Sequence, residues 1–96
     1  MKKQIRKVRK RINFEFSAEP GSHVNVVGTF NNWDPEAHPL KENPDSGLFT
    51  RTMLLPKGRH EYKFVVNGKW TEDPNGSAKI PNDMGSYNSV LDLQQP

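Results

Sequence analysis

"RHEYKFVVNGKW", residues 59–70, decides the fold. Tyr62, Phe64 and Val66 recur at every second position, the period of a strand with one face on a core, so Glu61, Lys63 and Val65 face the other way. Asn67-Gly68 then supplies the residue pair that most favours a two-residue hairpin turn, because both tolerate positive φ, and Lys69 and Trp70 begin the return. A strand that turns back on itself must find further strands to cover its apolar face.

The flanking sequence provides them. Upstream, "LPKG" (residues 55–58) is a tight connection from "GLFTRTMLL" (47–55), in which Phe49, Met53 and Leu55 share a parity with Arg51, whose head must then reach an edge. Ile12, Phe14 and Phe16 alternate with Asn13, Glu15 and Ser17, "HVNVVG" (23–28) is a further strand, and "SYNSVLDL" (86–93) is the last. In that last strand Tyr87, Leu91 and Leu93 are expected inward and Asn88 outward. No window carries a 3.6-residue apolar period, and eight prolines with seven glycines punctuate the chain. The expected fold is all-β, an immunoglobulin-like sandwich of about seven short antiparallel strands.

Composition narrows the function. Ninety-six residues with 32% hydrophobic content make one domain with a thin core, unsuited to a deep active site. Cysteine is absent, which excludes disulfides and thiolate chemistry, and His23, His38 and His60 have no metal-ligand spacing. No phosphate loop, nucleophile elbow or metal motif is present, and Asp34, Glu36, Glu72 and Asp73, each beside a proline or in a turn, read as solvated acids. The expectation is a non-catalytic protein without cofactor.

The net charge of +3 is unevenly distributed. "KKQIRKVRKR" (2–11) holds seven of the fourteen basic residues, leaving seven basic against eleven acidic residues after Arg11, a net −4. Residues 1–11 therefore read as a basic tail and 12–96 as the folded module, so nucleic-acid binding would be no more than nonspecific attraction to the tail. No apolar run follows the basic residues and none is long enough to span a bilayer, which points to a cytoplasmic protein with no membrane partner. Asn75-Gly76-Ser77 fits a glycosylation pattern but reads as a turn.

One feature resists a purely structural reading. In "GTFNNWDPEAHPL" (28–40), Trp33 stands among turn-formers where no core would hold it, so it is expected on display. Trp70 follows the hairpin, and Lys63 and Asn88 are outward strand positions. Indole faces stack on the C–H faces of pyranose rings, while an ammonium and a carboxamide supply donors and an acceptor for sugar hydroxyls. Singly, Trp33 could cap the sandwich edge, Trp70 could cover the hairpin, and Lys63 and Asn88 could be solvated strand residues; together they suggest a sugar platform.

"VNVVGTFNNWD", "LPKGRHEYKFVVNGKWTEDP" and "MGSYNSVL" resemble, in order and spacing, the glycogen- and starch-binding modules of the isoamylase N-terminal kind. Such modules occur in β subunits of AMP-activated protein kinase and in branching and debranching enzymes, normally as part of a larger protein. The resemblance covers Ile12 to Leu93 and implies non-catalytic recognition of α-1,4-glucans: glycogen, starch or maltooligosaccharides. It implies that Trp33 and Trp70 stack on glucose, that Lys63 and Asn88 bond hydroxyls, that Met84 stands where leucine commonly projects into the glucan, and that Ser86 stands where threonine is common. The alternative is a protein-interaction module with a degenerate sugar site, recruiting a glucan-metabolising enzyme or a kinase.

Overall fold

Residues 9–76 and 78–93, described in a computed structural model, form eight strands and one 3-10 turn arranged as two antiparallel sheets. The strands are β1 (Arg9–Ser17), β2 (Val24–Gly28), β3 (Lys41–Asn43), β4 (Leu48–Pro56), β5 (Gly58–Val66), β6 (Lys69–Thr71), β7 (Lys79–Pro81) and β8 (Tyr87–Leu93). One sheet has the order β1-β4-β3; the other runs β2-β5-β8-β7, with β6 also paired to β5.

Between the sheets lies an aromatic core. Phe14 of β1 and Phe49 of β4 meet Val26 of β2 and Tyr62 and Phe64 of β5, all buried. Phe64 packs edge-on to Phe14 and Tyr62, and Phe16 lies 5.0 Å from it between ring centroids. The period-two readings of β1 and β5 thus put the expected residues inward.

β5 organises the second sheet. β2 pairs along one of its edges, from Gly28↔Tyr62 to Val24↔Val66. Its other edge is shared: β8 takes the first half, from Leu93↔Gly58 to Ser89↔Tyr62, and β6 takes the last, from Thr71↔Phe64 to Lys69↔Val66. Paired residues share a face, so Glu61, Lys63, Trp70, Asn88 and Ile80 of β7 all lie on the face turned away from the core. That outer face carries the site.

Several sequence expectations need correction. The all-β sandwich of about seven strands is as expected, and what the sequence reading lacked are the three-residue β3 and β7, polar or proline-containing, which acquire strand geometry only by pairing with β4 and β8. β1 begins at Arg9, where Arg9, Lys10 and Arg11 pair with Pro56, Leu55 and Leu54, so the last three residues assigned to the tail are in the sheet. Residues 1–8 of that tail, and Ser77 of the glycosylation pattern, lie outside the described residues. Tyr87 is exposed rather than inward, since it sits at the start of β8 where only β7 flanks it. Arg51 does reach an edge, donating from Nη1 to the Pro39 carbonyl at 3.0 Å.

Asp73 is the clearest departure. It is buried rather than solvated: its Oδ2 accepts the Tyr62 hydroxyl and its Oδ1 accepts the Asn75 amide at 2.8 Å, which fixes the turn after β6. Burial, and then this carboxylate, hold the Tyr62 phenol well above its ordinary pKa of 10.0. The folded state therefore keeps a proton that the unfolded chain releases, so this contribution to stability is complete below the unfolded pKa of 10.0 and is lost progressively as pH rises from there through the higher folded-state pKa. Urea unfolding of wild type and Tyr62→Phe across pH 9 to 12 should show the wild-type midpoint falling more steeply; parallel curves would rule the phenol out.

Candidate glucan-binding groove

Trp33 is presented by a turn that four hydrogen bonds fix. After β2 the chain makes the 3-10 turn Thr29–Asn31, and the Trp33 amide donates back to the Gly28 carbonyl at 2.9 Å. Asn31 braces the turn from inside, its Oδ1 accepting the Gly28 amide at 3.0 Å and its Nδ2 donating to the Val26 carbonyl at 3.1 Å and to His38 Nδ1 at 2.9 Å. His38 Nδ1 is thus an acceptor and its proton sits on Nε2; burial and the Arg51 charge lower its pKa against the opposing pull of Asp34. Gly28 admits no side chain, because a Cβ there would stand 2.4 Å from the Glu61 carbonyl oxygen.

Asn32 and Trp33 both have φ of 57°. Asparagine adopts that left-handed conformation readily, but a bulky aromatic does so at a cost of about 1–3 kcal/mol, offset by the surrounding contacts. The result is that Trp33 turns over the outer face of the β5 sheet, half-buried, with its ring centroid 6.5 Å from that of Trp70 at an interplanar angle of 32°. Trp70, paired with Val65 on that face, remains 46% exposed.

The two indoles line a groove of about 920 Å³, and Lys63, Met84, Ser86 and Asn88 line it with them. The structure therefore brings all six expected site residues to one place. That volume lies within the usual range for small-ligand sites, about 300–1,000 Å³. A shallower hollow of about 550 Å³, between Phe16, Glu19, Ser46 and Asn67, holds none of them.

Lys63 and Asn88 are outward as expected but buried, not solvated, at 6% and 9% exposure. The reason lies in what surrounds them: Lys63 Nζ donates to Ser86 Oγ at 2.9 Å, and Asn88 Nδ2 donates to Glu61 Oε1 at 3.2 Å. Lys63 keeps two ammonium protons and Asn88 one amide proton for a ligand. Met84 projects from the loop between β7 and β8 at 87% exposure, an apolar chain held in solvent beside the groove. One exposed and one half-buried indole, an exposed thioether and confined donors can embrace a hydroxyl-rich ring with an apolar C–H face.

The family described as "Glycogen recognition site of AMP-activated protein kinase" is matched over residues 11–96. The chain belongs to this family. It is 32% identical over 78 residues to 5'-AMP-activated protein kinase subunit beta-2 of Mus musculus, covering 81% of this chain and 27% of that protein. Subunit beta-1 of Sus scrofa is 33% identical over 75 residues, covering 78% of this chain and 57% of its own length, and that of Bos taurus is 35% identical over 75 residues, covering 78% and 26%. The chain thus spans between about a quarter and somewhat more than half of the relatives it matches.

Within this domain, three residues outside the expected site set shape the groove. Gly28 and Asn31 hold the Trp33 turn, and Asn82 organises the loop that carries Met84 and Ser86. A signal for Asn82 was present in "PNDMG" (81–85), since asparagine followed by glycine marks a side-chain-closed turn; nothing local revealed that the closed turn would face Lys63. Among the described residues no acidic, histidine or cysteine cluster could hold a metal, and no helix is long and apolar enough to cross a membrane.

Proposed function

We propose that this domain binds α-1,4-glucans by stacking sugar rings on Trp33 and Trp70 and bonding their hydroxyls to Lys63, Ser86 and Asn88, with Met84 as an apolar prop, and that it does no chemistry on them. The convergence of those six side chains on one groove carries the reading. Membership in a glycogen recognition family supports the ligand class. Residues 12–96, together with Arg9–Arg11 that begin β1, are read as the binding module, and the cytoplasm, where glycogen lies, as its place of action.

Two stacks contribute about 0.5–1.5 kcal/mol each beyond buried area, and association entropy opposes them, so one site should bind maltoheptaose with a Kd of roughly ten micromolar to a few millimolar. Titration followed by tryptophan fluorescence tests this, with cellohexaose as the control for linkage. A flat signal up to about 10 mM maltoheptaose would sink the glucan reading. Lys63→Ala should weaken binding several-fold, since it removes charge-assisted donors worth about 1.5–3 kcal/mol at most.

The kinase-subunit relatives favour a second, compatible role: docking against a kinase or a glucan-metabolising enzyme, so that glucan binding localises the partner. Co-purification with such an enzyme, unaffected by Trp70→Ala, would support it.

A further inference from the structure

The loop between β7 and β8 is closed by one side chain. Asn82 Oδ1 accepts the backbone amides of Met84 at 2.9 Å and Ser86 at 3.1 Å, and the Asn82 backbone N–H donates to the Ser86 carbonyl at 3.0 Å. With Oδ1 committed to two backbone N–H groups, Nδ2 must point the other way, where it donates to Asn88 Oδ1 at 2.9 Å and to Ser86 Oγ at 3.0 Å. Asn88 is thereby oriented too, for only its Nδ2 can meet the Glu61 carboxylate.

Ser86 receives the same treatment. Its Oγ accepts from Lys63 Nζ and from Asn82 Nδ2, which uses both lone pairs. Its own proton is left with Asn82 Oδ1, at 3.3 Å and already shared with two amides, or with whatever enters the groove. Lys63 has two protons unspent and Asn88 one.

We propose that Asn82 is the positioning residue of this groove, its amide orienting Ser86 and Asn88 so that the polar wall presents hydrogen-bond donors to ligand oxygens. The inference rests on the glucan reading for its ligand, but the orientation of the wall is a property of the chain alone. Ser86 acts as a donor to sugar, Lys63 and Asn88 likewise, and Asn82 works through them.

Asn82→Asp separates this role from simple loop closure. Aspartate retains an acceptor for the Met84 and Ser86 amides, so the loop stays closed, but it has no N–H for Asn88 or Ser86. Maltoheptaose titration of Asn82→Asp, Asn82→Ala, Ser86→Ala and Asn88→Ala is expected to show each Kd raised several-fold or more. Asn82→Ala combined with Asn88→Ala should bind little worse than the weaker single variant, whereas Asn82→Ala combined with Trp33→Ala should multiply the two losses. The Asn88 side-chain amide resonances of the ligand-free protein should shift in Asn82→Asp and in Glu61→Gln.

Asn82→Asp binding as tightly as wild type, with Asn88 resonances unmoved, overturns the proposal, whether or not Asn82→Ala folds. Failure of wild type itself to bind maltoheptaose overturns the glucan reading instead, and the resonances still report whether Asn82 sets the wall.

Discussion

Trp70→Ala is expected to weaken maltoheptaose binding at least several-fold, and at least tenfold if the indole forms a full stack, while barely changing the urea midpoint. Trp70 is 46% exposed in the middle of a three-residue strand on the outer face, so its removal leaves the aromatic core untouched. Its contribution goes to whatever covers it in the groove, about 1 kcal/mol or more per lost stack. Trp33→Ala should match it in binding but cost more stability, since Trp33 is half-buried. Paired titration and denaturation of the same proteins checks both. If each variant melts early and its folded fraction still binds normally, the indoles are structural caps and the docking role becomes the better reading.

Phe64→Ala should instead lose the fold. The ring is fully buried and contacts Phe14, Phe16 and Tyr62, and large-to-small changes of this kind cost about 3–5 kcal/mol. A domain of this size has only about 5–15 kcal/mol in total, so the variant should unfold at much lower urea or not fold at 37 °C. Far-ultraviolet circular dichroism during urea titration is the measurement. A midpoint close to that of wild type would mean that the sheets can close over the vacated space.

Legibility differed along the chain for identifiable reasons. β1, β4 and β5 were readable because each is long enough to show its period, and Ile12, Phe14, Phe16, Tyr62 and Phe64 kept their parity in the sandwich. β3 and β7 were not, because three residues show no period and pairing alone makes them strands. Asp73 read as a solvated acid beside Pro74, since its partner Tyr62 is eleven residues away and only the β5–β6 hairpin brings them together.

The candidate site divides in the same way. Sequence by itself determined which groups are available: two indoles outside any apolar period, an ammonium and a carboxamide on outward strand positions, and the hairpin that returns Trp70 beside Val65. These follow from local rules of alternation and turn chemistry. Tertiary structure alone decided that they meet. The division of one edge of β5 between β6 and β8 sets Trp70 and Asn88 on a common face, and the left-handed Trp33 turn lays the second indole over it. The burial of Lys63 and the direction of Asn88 likewise depend on Ser86, Glu61 and Asn82, residues brought together by pairings between distant strands, which no local pattern encodes.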